Sequence, residues 1–104
     1  LVSPERIPLM QHIYTREPDR VIIMPMRKGI GFFMGGKTNG VHGATGPRET
    51  AFGHPGAGGS IAFADPEVGL SIAVTINQMA TTLTAEGPVF QLCELIRNEL
   101  GVNE

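Results

Sequence analysis

The chain has 104 residues, 41% apolar and 17% charged, with a mean hydropathy of +0.05 and a formal net charge of −2. That is the size of one domain with enough apolar surface to offset chain entropy, which excludes a disordered segment, and no apolar run approaches the ~18 residues of a membrane-spanning helix. The negative balance provides no basic footprint for nucleic acid.

Area scaling for a mass of 11.1 kDa gives a folded surface of roughly 5,700 Å² against roughly 16,000 Å² unfolded. One core fits, and two do not. The charge is unevenly placed. Residues 1–50 hold seven Lys/Arg and four Asp/Glu, and residues 51–104 hold one Arg and six acids. The two halves therefore attract weakly, an effect that salt screens. Cys93 is the only cysteine, so no intrachain disulfide forms and both redox compartments stay open.

The N-terminus, Leu1-Val2-Ser3-Pro4-Glu5-Arg6, has no basic segment followed by an apolar one, so it does not read as a signal peptide. It begins with Leu rather than Met, and the chain is expected to be processed or cut from something longer. Residues 3–14 read as a short helix, with Ser3 as cap, Pro4 in the first turn, and Ile7 and Met10 on one side. Residues 15–20 read as a turn. Val21 to Met26 reads as a strand that Pro25 confines to an edge or bulge.

Eleven of the 14 glycines lie between Gly29 and Gly59. Each interior glycine costs a helix about 1 kcal/mol, so this stretch reads as strands and tight turns. Residues 29–35 alternate in strand fashion, with Ile30, Phe32 and Met34 on one face. Residues 36–50 form a long polar loop. The clearest element is a hairpin over 60–77. Ile61 and Phe63 precede the turn Asp65-Pro66-Glu67-Val68-Gly69, and Leu70, Ile72, Val74 and Ile76 then alternate with small polar residues. An amphipathic helix over 86–100 closes the chain. Its apolar stripe is Val89, Leu92, Cys93, Ile96 and Leu100, with Glu94, Arg97 and Asn98 facing away. The fold class expected is α+β, an antiparallel sheet with a C-terminal helix packed on one face, in a single segment spanning 1–104.

Phe52-Gly53-His54-Pro55-Gly56-Ala57-Gly58-Gly59-Ser60 is the candidate for chemistry. It lacks the lysine of a phosphate loop, and a strand rather than a helix follows it. His12, His42, His54 and Cys93 have no metal-ligand spacing, so neither a metal nor another cofactor is expected. None of Ser3, Ser60 and Ser71 sits in a GxSxG elbow, and none has a lysine three residues on.

That segment, followed by Phe63-Ala64-Asp65-Pro66-Glu67, Leu70-Ser71 and Asn77-Gln78-Met79, resembles the FGHxGxGGS…FADPE…LS…NRM pattern of beta-lactamase-related serine hydrolases of the class C and carboxylesterase type. Leu1-Val2-Ser3-Pro4-Glu5 is similar to the helix start of that family, and Gly29-Ile30-Gly31-Phe32-Phe33 to its "GLGF" strand. The resemblance covers nearly all of this chain but only about the last third of a family member. It implies a partial beta-lactamase/penicillin-binding-protein-like fold in which His54-Pro55-Gly56 takes the position of the Lys-Thr-Gly triplet on a strand walling the active site. Ala57 then supplies a backbone N–H to the oxyanion hole. Pro55, Gly56 and Gly58 line the substrate.

Histidine in place of lysine points the resemblance towards an esterase or peptidase-like hydrolase. The nucleophilic Ser and its Lys are implied upstream of Leu1. The family's Tyr-x-Asn is implied there too, because Arg16 stands where Asn would follow Tyr14. The implied partners are a small ester, amide or lactam substrate and the missing N-terminal part of the fold. By itself the chain is expected to be inactive. The alternative is a non-catalytic module of the same fold that binds a partner or itself through exposed sheet edges.

Overall fold

The computed structural model describes residues 1–81 and 87–104. In chain order it contains α1 (Ile7–Met10), β1 (Phe33–Met34), β2 (Phe52–Pro55), β3 (Ile61–Asp65), β4 (Leu70–Val74) and α2 (Pro88–Glu99). The four strands form one antiparallel sheet in the order β1-β2-β3-β4, and α2 covers one face. The class is α+β, as the sequence leads one to expect.

The N-terminal helix is shorter than its sequence reading. Pro4–Arg6 forms a 3-10 turn that runs into the single turn of α1. Pro8 has no N–H to extend a ladder, and Ser3 closes the turn with its carbonyl, accepting from the Arg6 N–H at 3.0 Å, rather than with its side chain. Gln11 Nε2 then donates to the Thr50 carbonyl at 2.7 Å and ties this end to the long loop.

Val21 to Met26 is not a strand. Residues 15–28 fold back on themselves through isolated bridges at Thr15–Lys28 and Pro18–Pro25. Both prolines lack the N–H a regular ladder needs. Asp19 organises the tip: its Oδ1 accepts from the Val21 and Ile22 N–H groups at 2.7 and 2.8 Å, and its N–H reaches the Met24 carbonyl at 2.8 Å. The expected strand over 29–35 contracts as well. The Gly29 N–H bonds the Phe32 carbonyl at 2.9 Å, so Gly29 to Phe32 is a tight turn and only Phe33 and Met34 pair with β2.

The hairpin lies where the period-2 pattern puts it, except that β4 ends at Val74, short of Ile76. β3 and β4 pair from Ile61–Val74 to Asp65–Leu70 across a turn at 66–69. Ile61, Phe63 and Cys93 form the buried cluster, with Leu70, Ile72, Val74 and Val89 packed against it. The tightest approach in the sheet is at Gly53, where a Cβ would stand 2.2 Å from the Ala62 carbonyl oxygen and 2.5 Å from Phe63 Cα. No side chain fits there.

α2 starts at Pro88 after Gly87, and its expected first residue, 86, lies outside the described residues. It stops before Gly101, whose N–H bonds the Asn98 carbonyl. The buried stripe is rotated from the expected one. Leu92 and Leu100 are exposed, while Arg97 is only 2% exposed. Its guanidinium stacks 4.5 Å from the Phe63 ring centroid, bonds Glu94 Oε1 at 2.7 Å and donates to the Ala44 carbonyl. A buried arginine with three such partners displaces leucine from the core face.

Candidate functional site

β2 delivers the candidate residues into one strand and one turn. His54 pairs with Ala62, which pairs with Ala73. These three share the sheet face opposite Ile61 and Phe63, and all three are exposed. Small side chains beside His54 leave that face approachable by another molecule.

The His54 imidazole is held at two points. Nδ1 lies 2.7 Å from the Pro55 carbonyl oxygen. A carbonyl only accepts, so Nδ1 is the donor of this contact, and Nε2 carries the lone pair whenever the ring is neutral. The ring stacks on Phe33 with centroids 4.4 Å apart and planes inclined by 25°. Among the described residues nothing bonds Nε2, and no carboxylate orients the ring. Asp65 and Glu67 are engaged by Arg48 instead, at 2.6 and 2.7 Å.

After Pro55 the chain turns sharply. The Gly56 N–H bonds the Ser60 carbonyl at 2.6 Å, and the Gly59 N–H bonds the Gly56 carbonyl at 3.1 Å. Ala57 and Gly58 are the two central residues of this turn. Ala57 is exposed, and among the described residues its N–H has no partner. Segment 76–80 braces the turn from behind. The Ala80 N–H bonds the Gly58 carbonyl at 2.8 Å, and the Ile76 N–H bonds Ser60 Oγ at 3.3 Å. Met79 lies over Gly58, where a Cβ would come within 2.9 Å of Met79 Cγ.

His54, Pro55, Gly56, Ala57 and Gly58 thus form one continuous strand and turn with a free imidazole nitrogen and a free backbone donor. Among the described residues no three His, Cys, Asp or Glu side chains form a group that could hold a metal, and no helix is long and apolar enough to cross a membrane. Two partners of the site escaped the sequence reading. Phe33 lies 21 positions before His54, and nothing local signals their stack. Asn77-Gln78-Met79 of the 76–80 brace stands in the family pattern, but its contacts to Gly58 and Ser60 join segments distant in sequence and are not marked there.

A family model for beta-lactamases matches residues 3–92, from the first turn through the sheet and into α2. The chain belongs to the beta-lactamase family. No curated protein and no solved structure matches it. The four-stranded antiparallel sheet with its helix is consistent with part of the beta-lactamase-like fold. Within this beta-lactamase-family chain the described residues include no serine with a lysine three positions on.

Proposed function

We propose that this chain is the C-terminal part of a serine hydrolase of the class C beta-lactamase and carboxylesterase type, acting on an ester, amide or lactam through an acyl-enzyme. The observation that carries the proposal is the braced turn after β2, where Ala57 is an exposed residue and, among the described residues, its N–H has no partner, three residues from an imidazole whose Nε2 likewise has none. In this reading a serine elsewhere in the protein attacks the substrate carbonyl, and the Ala57 N–H stabilises the oxyanion that forms. The leaving group departs with a proton, and water then hydrolyses the acyl-enzyme. His54 lies along the strand that walls the site. Its Nε2 accepts a hydrogen bond when neutral and donates one when protonated, beside the reacting or departing group. Pro55, Gly56 and Gly58 let the substrate lie against backbone.

The chain alone lacks the nucleophile and one of the two oxyanion donors, so it is inactive by itself. The test is hydrolysis of p-nitrophenyl esters and labelling by a fluorophosphonate, with the chain and with the intact protein. The intact protein turns over and labels, whereas the purified chain does neither. In the intact protein Ala57→Pro, which removes the N–H, lowers turnover at least as far as the ~100-fold that loss of one oxyanion donor costs. Ala57→Gly changes little. His54→Ala lowers turnover by about 10- to 1000-fold. Unchanged activity in the intact Ala57→Pro variant overturns the assignment.

A second reading, a non-catalytic module that associates through its surface, is favoured by one observation. Val21, Ile22, Ile23 and Met24 are consecutive, large, apolar and exposed. Light scattering across a dilution series separates the two readings: a monomer throughout removes self-association.

A further inference from the structure

Phe33 has no assigned role beyond the short β1 strand, yet its ring is the stacking partner of His54, the exposed titratable side chain of the site. We infer that Phe33 is a positioning residue that, together with the Pro55 carbonyl, fixes the His54 ring with its proton on Nδ1 and its lone pair on Nε2. The inference deepens the reading of His54 given above and rests on it for any catalytic consequence.

An exposed histidine ordinarily turns freely about its terminal torsion, and its neutral ring favours the Nε2–H tautomer. Either freedom is harmful to a group that must present Nε2 as an acceptor. Rotation carries Nδ1 away from the Pro55 carbonyl, and the commoner tautomer puts a proton where the lone pair is needed. The Pro55 carbonyl at 2.7 Å selects the Nδ1–H tautomer but does not by itself hold the ring plane. The Phe33 face, 4.4 Å from the imidazole centroid and inclined by 25°, restricts that plane. Phe33 is itself held. Its backbone pairs with Gly53 and bridges Lys28, and the Lys28 ammonium lies 5.8 Å from its ring centroid. Lys28 is fixed in turn by its ion pair with Asp19. A run of contacts from Asp19 through Lys28 and Phe33 therefore ends on the imidazole.

The test uses the chain as it stands, labelled with 15N at histidine, at a pH where imidazole is neutral. In the wild type, His54 Nε2 resonates as an unprotonated, pyridine-like nitrogen and Nδ1 as a protonated one. Phe33→Leu keeps an apolar side chain but removes the flat face. It shifts the tautomer ratio towards Nε2–H by about three- to tenfold, the effect size of one aromatic pair. Phe33→Tyr restores the wild-type ratio. A Phe33 that merely packs the sheet edge gives a different outcome: Phe33→Leu lowers the melting temperature and leaves the His54 tautomer unchanged, which overturns the inference. A wild-type His54 carrying its proton on Nε2 overturns it too, and this measurement does not depend on any variant folding. The tautomer is read without activity. Loss of the proposed function, seen as an intact His54→Ala enzyme with full turnover, is thus a separate result from loss of the Phe33 assignment.

Discussion

Cys93 is fully buried between α2 and β3, and burial pushes its thiol pKa up. The thiolate is the reactive form, so both access and ionisation oppose modification. Thiol reagents should label Cys93 at least ~100-fold more slowly in the folded chain than in denaturant, because reaction requires an opening of the core. Labelling at the free-thiol rate without denaturant would show that α2 does not stay on the sheet. Asp19 makes the opposite case. The Lys28 ammonium beside it, and then the Ile22 and Val21 N–H groups, hold its carboxyl down to about 2 from an ordinary 3.8. A depressed carboxyl contributes stability that is fully present above its unfolded value and is lost as pH falls through the folded one. The 19–24 turn should therefore keep its Val21 and Ile22 amide protection down to roughly pH 4 and lose it towards about pH 2. NMR titration of the Asp19 carboxyl reads this directly, and a midpoint near 3.8 would contradict it. Asp19→Asn should remove the pH dependence of those two amides.

At the scale of elements, Gly53 and Gly69 separate two reasons for a glycine. Gly53 lies in β2 where a Cβ would meet the Ala62 carbonyl oxygen and Phe63, both parts of β3. Backbone cannot move aside as a side-chain tip can, so Gly53→Ala should cost about 3 kcal/mol, the upper end for overpacking. Gly69 closes the β3–β4 turn at φ 65° with open space where a Cβ would stand. Gly69→Ala should cost only about 1–2 kcal/mol, from the left-handed backbone alone. Urea unfolding of the two variants checks the order, and an equal loss would mean that the β2–β3 contact yields. These elements also divide into what the sequence discloses and what it does not. The hairpin was legible because its alternation and its Asp65-Pro66 turn are both local. Residues 29–35 misled because counting alternate positions through Ile30 and Phe32 ignores the turn that Gly29 closes with Phe32. The α2 face misled for a different reason. Arg97 enters the core through Ala44 and Phe63, which lie far away in sequence. At the site, the glycines mark the stretch as strands and tight turns and the family resemblance puts His54 on a strand, whereas the Phe33 stack and the hydrogen bonds from 76–80 are contacts that only the folded chain creates.

The whole molecule has an accessible surface of 7112 Å², about a quarter more than the roughly 5,700 Å² expected of a globule of this mass. Among the described residues the buried apolar set is only Met34, Ala51, Ile61, Phe63 and Cys93. With so small a core, polar cross-links between distant parts of the chain carry an unusual share of the cohesion. Arg48 is the main one. Its guanidinium bonds Asp65 at the end of β3, Glu67 in the following turn and the Glu104 carbonyl, joining the basic first half to the acidic second. Asp65 is 2% exposed, and its other oxygen accepts from Thr50 Oγ1 at 2.7 Å and from the Glu67 N–H at 3.2 Å. Removing Arg48 leaves that carboxylate buried with neutral donors only. Arg48→Ala should lower stability by about 3 kcal/mol, the low end for breaking a buried ion pair because Arg48 is itself partly exposed. Salt should have little effect on the wild-type pair, since Asp65 is shielded from solvent. Adding Asp65→Asn to Arg48→Ala should recover part of the loss, because a neutral amide replaces the stranded charge. Denaturation midpoints of wild type, both single variants and the double variant measure the coupling. A double variant no more stable than Arg48→Ala would mean that Arg48 acts through its contacts to Glu67 and Glu104 rather than through the buried carboxylate.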